Sequence, residues 1–231
     1  EASYIVKIKN EPIVFEDNRS LTRTAIVEKY KGTSKISSLK LGVADIEHVY
    51  SQINEGKSLN LNNCFVKDFS LETYRKKYKK GEGELVDLHS FKAENAFFES
   101  DFGTSFAYSN FTGSSGSFAY SIFNKGKVSF GHAQCATNLN FNRAEFYTEE
   151  LSFKFAEFDK GDVRFSNCVF DCEDLLFVNT GFGRGNVNFR QSDFRKSNCN
   201  FQYARFIDGD VTFDKSKFRG EILDFRKIEF G

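Results

Sequence analysis

From Phe106 onward, phenylalanine returns along the chain with gaps that alternate between five and seven residues. The sites run Phe106, Phe111, Phe118, Phe123, Phe130, Cys135, Phe141, Phe146, Phe153 and Phe158, and the alternation continues to Phe225 and Phe230. Cys135 is the one departure in residue type. The six-residue step from Cys135 to Phe141 is the one departure in spacing, so a residue is missing from the pattern there. A helix repeats every 3.6 residues and a strand every two, so a 5+7 period belongs to neither. It marks a supersecondary repeat, in which short faces alternate with corners.

The residue two before each site shows how a face is built. Where a long gap closes it is usually bulky, as in Val128, Leu139, Leu151, Val163 and Leu175. Where a five-residue gap closes it is mostly small, as in Ser109, Ser121, Ala133, Ala144, Cys168 and Thr180. The residue between is usually polar (Glu145, Arg164, Asn188). In-out-in over three residues is the period of an extended strand. Gly161-Asp162, Gly185-Asn186 and Gly209-Asp210 supply turn chemistry at corners. Strands this short cannot bury their inward residues alone, so successive turns must stack. Two twelve-residue units give four faces and a 24-residue coil; roughly five and a half such coils, at ~4.8 Å per rung, make a rod on the order of 25 Å. A twelve-residue coil with two faces would be overfilled by a Phe in every face, and a β-sandwich would not keep so even a spacing.

Units such as Ala204-Arg205-Phe206 and Ser216-Lys217-Phe218 follow the pattern small-x-[Phe/Leu]-x-x, and over roughly residues 57–231 the chain resembles the pentapeptide-repeat proteins. The resemblance implies an all-β fold, a right-handed quadrilateral β-helix with Phe or Leu stacked inside and the small residue beside it. The chain departs from a strict five-residue tandem by two extra residues at alternate corners. Before Phe106 the pattern is broken: Leu59-x-Leu61, Cys64-x-Val66 and Phe69-x-Leu71 form one clean run, and Val86-x-Leu88, Phe91-x-Ala93 and Ala96-x-Phe98 another.

The expected division is a small N-terminal α/β cap over 1–56 and a β-helix over 57–231. The helix is irregular to about residue 105, carries a polar basic insertion loop at 72–84, and is regular over 104–231. Residues 4–8, 13–15 and 25–30 read as strands. Val43, Ile46, Val49, Tyr50 and Ile53 recur at helical spacing and stop at Gly56, which predicts an amphipathic helix over 43–55. A β-helix exposes apolar interior and open backbone edges at its ends, so this helix is the expected cap. No such cap follows Phe230, where truncation or a docking surface is expected. A chain that lacks an initiator Met and stops in mid-pattern is expected to belong to a longer protein.

The residues that look chemical fall mostly on the repeat lattice. Cys64, Cys168 and Cys199 occupy the small inward position and Cys135 a Phe position; Cys172 falls at a corner, off the core lattice. An odd number of such cysteines is no disulfide framework, which points to a reducing, cytoplasmic setting. His48, His89 and His132 lie apart from any Cys or carboxylate pair at ligand spacing. Gly181-x-Gly183-x-Gly185 lies inside the repeat with no helix to complete a phosphate site. The expectation is a non-enzymatic chain with no catalytic residue, metal, cofactor or small-molecule substrate.

Thirty-two basic residues balance 32 acidic ones, so the overall field gives no reason to expect nucleic acid or an anionic membrane as partner. No apolar run is long enough to span a bilayer. The strongest local charge is Arg75, Lys76, Lys77, Lys79 and Lys80, a candidate contact for an acidic partner. The expected function is a protein-interaction or scaffold module presenting a rigid rod, its partner another protein, with self-association expected at a rod end where strand edges are open. The resemblance implies an alternative, a DNA mimic that modulates a type II topoisomerase such as gyrase. That role needs a sustained negative ladder, and residues 85–231 carry 20 acidic against 17 basic side chains. A second alternative is a sensor or spacer arm for an effector domain outside this chain.

Overall fold

The computed structural model describes residues 2–231. Its five-residue units are β-turns. Two residues after each Phe that closes a long gap, the backbone enters the left-handed region, as at Tyr108, Tyr120, His132 and Arg143 with φ of 58°, 59°, 56° and 60°. The next N–H then bonds back to the Phe carbonyl: Ser109 to Phe106, Ser121 to Phe118 and Ala133 to Phe130, each at 3.1 Å. A bond from the fourth residue to the first, with positive φ at the third, belongs to the type II turn. The fourth residue is the small one because it enters the core directly beside the next Phe. Where it bears a hydroxyl, that group is used in several turns. Ser192 Oγ donates to Phe165 O, Thr180 Oγ1 to Phe153 O and Ser216 Oγ to Phe189 O, always one coil back.

Successive coils pair in parallel, 24 residues apart: Phe158 on Phe182 on Phe206, and Val163 on Val187 on Val211. About eight turns stack into a β-solenoid with four columns of aromatic or aliphatic side chains inside. Within a column the rings lie nearly parallel, as in Phe165–Phe189 at 4.9 Å and Phe177–Phe201 at 4.8 Å. Two columns cross the core and interdigitate edge to face. Phe141, Phe153, Phe165 and Phe177 follow one another at 5.8, 5.5 and 5.8 Å with interplanar angles of 88°, 82° and 80°. Edge-to-face contact is the preferred aromatic geometry and adds to the area buried. The 5+7 alternation is what delivers one ring of this zipper every twelve residues.

The six-residue step is absorbed at a corner. Cys135 pairs with Phe158 and Leu139 with Val163, so three residues turn the corner on one coil and four on the next. The extra residue in the later coil includes Gly161, where a Cβ would collide with the Thr137 backbone. Close approach, rather than a positive φ, is why that corner takes glycine.

The N-terminal part matches expectation in its helix and departs from it elsewhere. The cap helix α1 is present at Ile46–Asn54, N-capped by Asp45, with Val49, Tyr50 and Ile53 buried on the first coil. The segment expected to be a polar loop begins with a second helix, α2 (Leu71–Lys77), N-capped by Ser70 and burying Leu71, Tyr74 and Arg75. The Tyr50 hydroxyl donates to Ser70 O and accepts from Ser70 N, which ties the two helices together at the solenoid's end. A small hairpin, β2 (Ile13–Val14) and β3 (Ser20–Leu21), adds Phe15 and Leu21 to the same end. From it Arg19 reaches two open carbonyls of the first coil, Asn60 O and Asn62 O, each at 3.0 Å.

The remaining N-terminal strands do not cap the rod. β1 (Ala2–Lys9), β4 (Thr24–Lys31) and β5 (Ser34–Val43) form an antiparallel meander, and Gly42 and Val43 pair in parallel with Cys64 and Phe65 of β6 (Cys64–Lys67). The meander lies over the outside of one solenoid face. Ala25, Val27, Leu41 and Val43, with Tyr4 and Val6, cover Phe65, Phe97, Ile122 and Tyr147. These four sit at outward positions that are polar on most other rungs. A second, smaller core results, separate from the Phe interior.

Cys172 also departs from its expected exposure. Val169–Leu176 continues as one strand around its corner, in register with Glu145–Ser152, and turns Cys172 inward against Ser197. At the far end Phe225 and Phe230 keep 41% and 74% of their surface exposed.

Candidate functional site

Of the residues singled out as a basic contact, Arg75, Lys76 and Lys80 line one cleft together with Glu72 and Glu82. Arg75 is 6% exposed; its guanidinium donates to Ala107 O at 3.0 Å and lies 5.5 Å from the Tyr108 ring centre. Burial lowers its pKa, and its place is structural, joining α2 to the coil beneath. Lys76 pairs with Glu72 at 2.6 Å, Lys77 with Glu47 of α1, and Lys80 with Glu84 at 3.2 Å. Lys79 takes a left-handed φ of 52° and points to solvent. Sequence could foresee the charge but not that the nearby acids would neutralise it locally.

All five thiols are buried and unpaired. Burial pushes Cys64 up to about 11 and Cys172 and Cys199 up to about 12, and raises Cys135 and Cys168 as well. Cys168 stands in for the serine of other turns: its Sγ donates to Phe141 O at 3.0 Å, one coil back. His132 is stacked between Tyr108 and Phe155 on the outside of the rod, at 4.5 and 5.0 Å between ring centres. His89 lies 3.4 Å from the Thr112 hydroxyl. Among the described residues no group of three or more His, Cys, Asp or Glu is placed to hold a metal ion, and no helix is long and apolar enough to cross a membrane.

The most structured polar cluster lies at the seam between meander and solenoid. Glu145, outward on its rung, accepts from Tyr147 at 2.6 Å, Lys29 at 2.8 Å and Tyr4 at 3.3 Å. Tyr4 packs its ring edge on Phe97 at 5.2 Å, and Lys29 lies 5.5 and 5.4 Å from the Tyr4 and Tyr147 ring centres. Burial alone would raise the Glu145 pKa, but the three donors outweigh it and the net shift is downward. Burial and the adjacent carboxylate push Tyr4 and Tyr147 upward. The cluster works as a polar latch, with every member satisfied.

Beside the latch, the meander overhangs the rod and leaves a groove of about 630 Å³ between β5 and one corner of the solenoid. Leu39, Lys40 and Leu41 form one wall; Tyr120, Ile122, Arg143 and Val169 lie on the other. The signal for this site was present in outward Phe97 and Ile122 and in the alternation of β1 and β4. No family model, curated protein or solved structure matches this chain.

Proposed function

We propose that this chain is a non-enzymatic protein-interaction module, a rigid solenoid that presents preorganised outer surfaces to another protein in a reducing compartment. The observation that carries this reading is the locking of the outer surface from rung to rung. Asn138 Oδ1 accepts from Asp162 N, Asp162 Oδ1 from Asn186 N, and Asn186 Oδ1 from Asp210 N, a ladder of 2.9, 3.0 and 2.9 Å bonds along one corner. Arg195–Asp171, Arg190–Asp214 and Arg219–Asp193 add ion pairs between coils at 2.7, 3.0 and 3.0 Å. Each such pair contributes little stability on an exposed surface. Together they hold side chains in place before a partner arrives, which lowers the ordering cost of association.

The stacked fold and Phe spacing are consistent with the pentapeptide-repeat resemblance. The interleaved, paired charges favour a protein-binding surface over a mimic of DNA, whose anionic ladder should stay unneutralised. The test is photo-crosslinking from probes placed on each of the four outer faces and on the meander, in extract of the native source. One partner captured from one face, and lost on charge reversal there, is the expected result. Capture that is equal from all faces and insensitive to charge reversal would contradict the reading.

A further inference from the structure

Resting on that interaction reading, we propose a specific docking site: the outer edge of β5 binds an extended, acidic peptide segment of a partner protein by strand addition. The backbone arrangement supplies the first reason. Val43 N donates to Arg23 O toward β4, whereas Gly42 N donates to Asn63 O toward the solenoid. Backbone groups of an antiparallel strand alternate sides, so Leu41 and Leu39 face β4 while Lys40 and Ser38 turn theirs away. Beyond Gly42 that outer edge has no strand partner among the described residues, since β5 meets β6 only through Gly42 and Val43. An unpaired row of N–H and C=O groups is a template for another strand.

The groove supplies the second reason. An added strand would have the solenoid corner alongside it and would lower alternate side chains between Leu39 and Leu41 on one wall and Ile122 and Val169 on the other. This selects apolar residues at every second position. Charge supplies the third. Lys40 and Arg143 are exposed in the groove and have no acidic partner among the described residues; Arg143 leans on the Tyr120 ring at 5.6 Å. Glu145, the one acid lining the groove among the described residues, is already held by Lys29 and two tyrosine hydroxyls. The free charge is therefore positive, and acidic residues on the strand's remaining positions complement it.

The probe is a short fluorescein-labelled peptide of alternating Asp and Val, titrated by anisotropy against the whole chain. Two companions are the Lys/Val peptide and the Asp/Val peptide N-methylated at alternate residues. Saturable binding of the acidic peptide is expected. It should fall about tenfold or more, equivalent to ~1.4 kcal/mol, with the basic peptide, with N-methylation and with Arg143→Glu. Lys40→Pro removes one edge N–H from a strand whose outer side faces solvent, a position that tolerates proline, and should do the same. Circular dichroism identifies any variant that fails to fold, and N-methylation tests the edge without altering the protein. No saturable binding, or binding indifferent to N-methylation and Arg143→Glu, overturns the proposal. So does sedimentation showing a dimer that Lys40→Pro dissolves, since the edge would then belong to a second copy. If a partner captured by the face-specific probes still binds Arg143→Glu and Lys40→Pro protein, the docking site falls and the interaction reading stands.

Discussion

At the scale of single residues, the core is a set of repeated roles rather than a generic apolar interior. The small position of each turn is a case in point. Ser192 Oγ donates to Phe165 O and accepts from Cys168 N, both buried. Ser192→Ala leaves two buried backbone groups unpaired and is expected to cost about 1–3 kcal/mol, read from urea denaturation. Ser109 occupies the same role, but its hydroxyl finds no partner among the described residues. Ser109→Ala should therefore be neutral or mildly stabilising, and equal losses from the two variants would contradict this view of the turn. The thiols follow the same logic. Buried and shifted upward, they should give no rapid reaction with a thiol reagent at pH 8, and all five should react once the protein is unfolded. Rapid labelling of Cys172 in the folded protein would restore it to the corner position that spacing alone suggests.

At the scale of elements, the meander and the solenoid are held together by a small apolar core and one polar latch, and the latch is sensitive to acid. Glu145 has a folded pKa below its unfolded value because Lys29, Tyr147 and Tyr4 donate to its carboxylate. A depressed carboxyl stabilises the folded form above its unfolded pKa of about 4.3 and loses that contribution as the pH falls through the folded value. The hydrogen-exchange protection factors of the β1 amides, corrected for the intrinsic slowing of exchange in acid, should therefore fall below about pH 4. Glu145→Gln should exchange faster at neutral pH and show a flatter acid response; an unchanged profile would remove the latch. The elements also show what the sequence could reveal. Inward positions were legible because the lattice repeats: a Phe in one coil predicts the Phe stacked on it in the next. Helix α1 was legible because Val49, Tyr50 and Ile53 share a face and Gly56 stops it. Helix α2 was hidden because its buried side includes Arg75, whose guanidinium finds Ala107 O only in the folded chain. The meander's location was hidden because outward Phe65, Phe97 and Ile122 break the polar rule of the repeat without naming the strands that cover them. The candidate site inherits that limit: its walls come from segments far apart in sequence, and none carries a motif.

At the scale of the whole molecule, the 24-residue coil turns an aromatic bias into a continuous interior, with parallel stacks along the rod and an edge-to-face zipper across it. Each coil contacts only its neighbours, so stability is distributed along the rod and depends on closed ends. The N-terminal end is closed by α1, α2, the β2–β3 hairpin and the Arg19 clamp on open carbonyls. The same architecture leaves all partner specificity to the outside, where cross-rung pairs and the β5 edge lie. Everything rests on four faces per coil. Gln134 and Glu229 are exposed on one face, joined by the register Gln134–Glu157–Gly181–Arg205–Glu229. Spin labels carried there on noncanonical residues leave the buried thiols untouched, and their separation can be read by double electron–electron resonance. Four rungs at ~4.8 Å predict backbone positions about 19 Å apart, whereas a twelve-residue coil would double the rungs and place them about 38 Å apart.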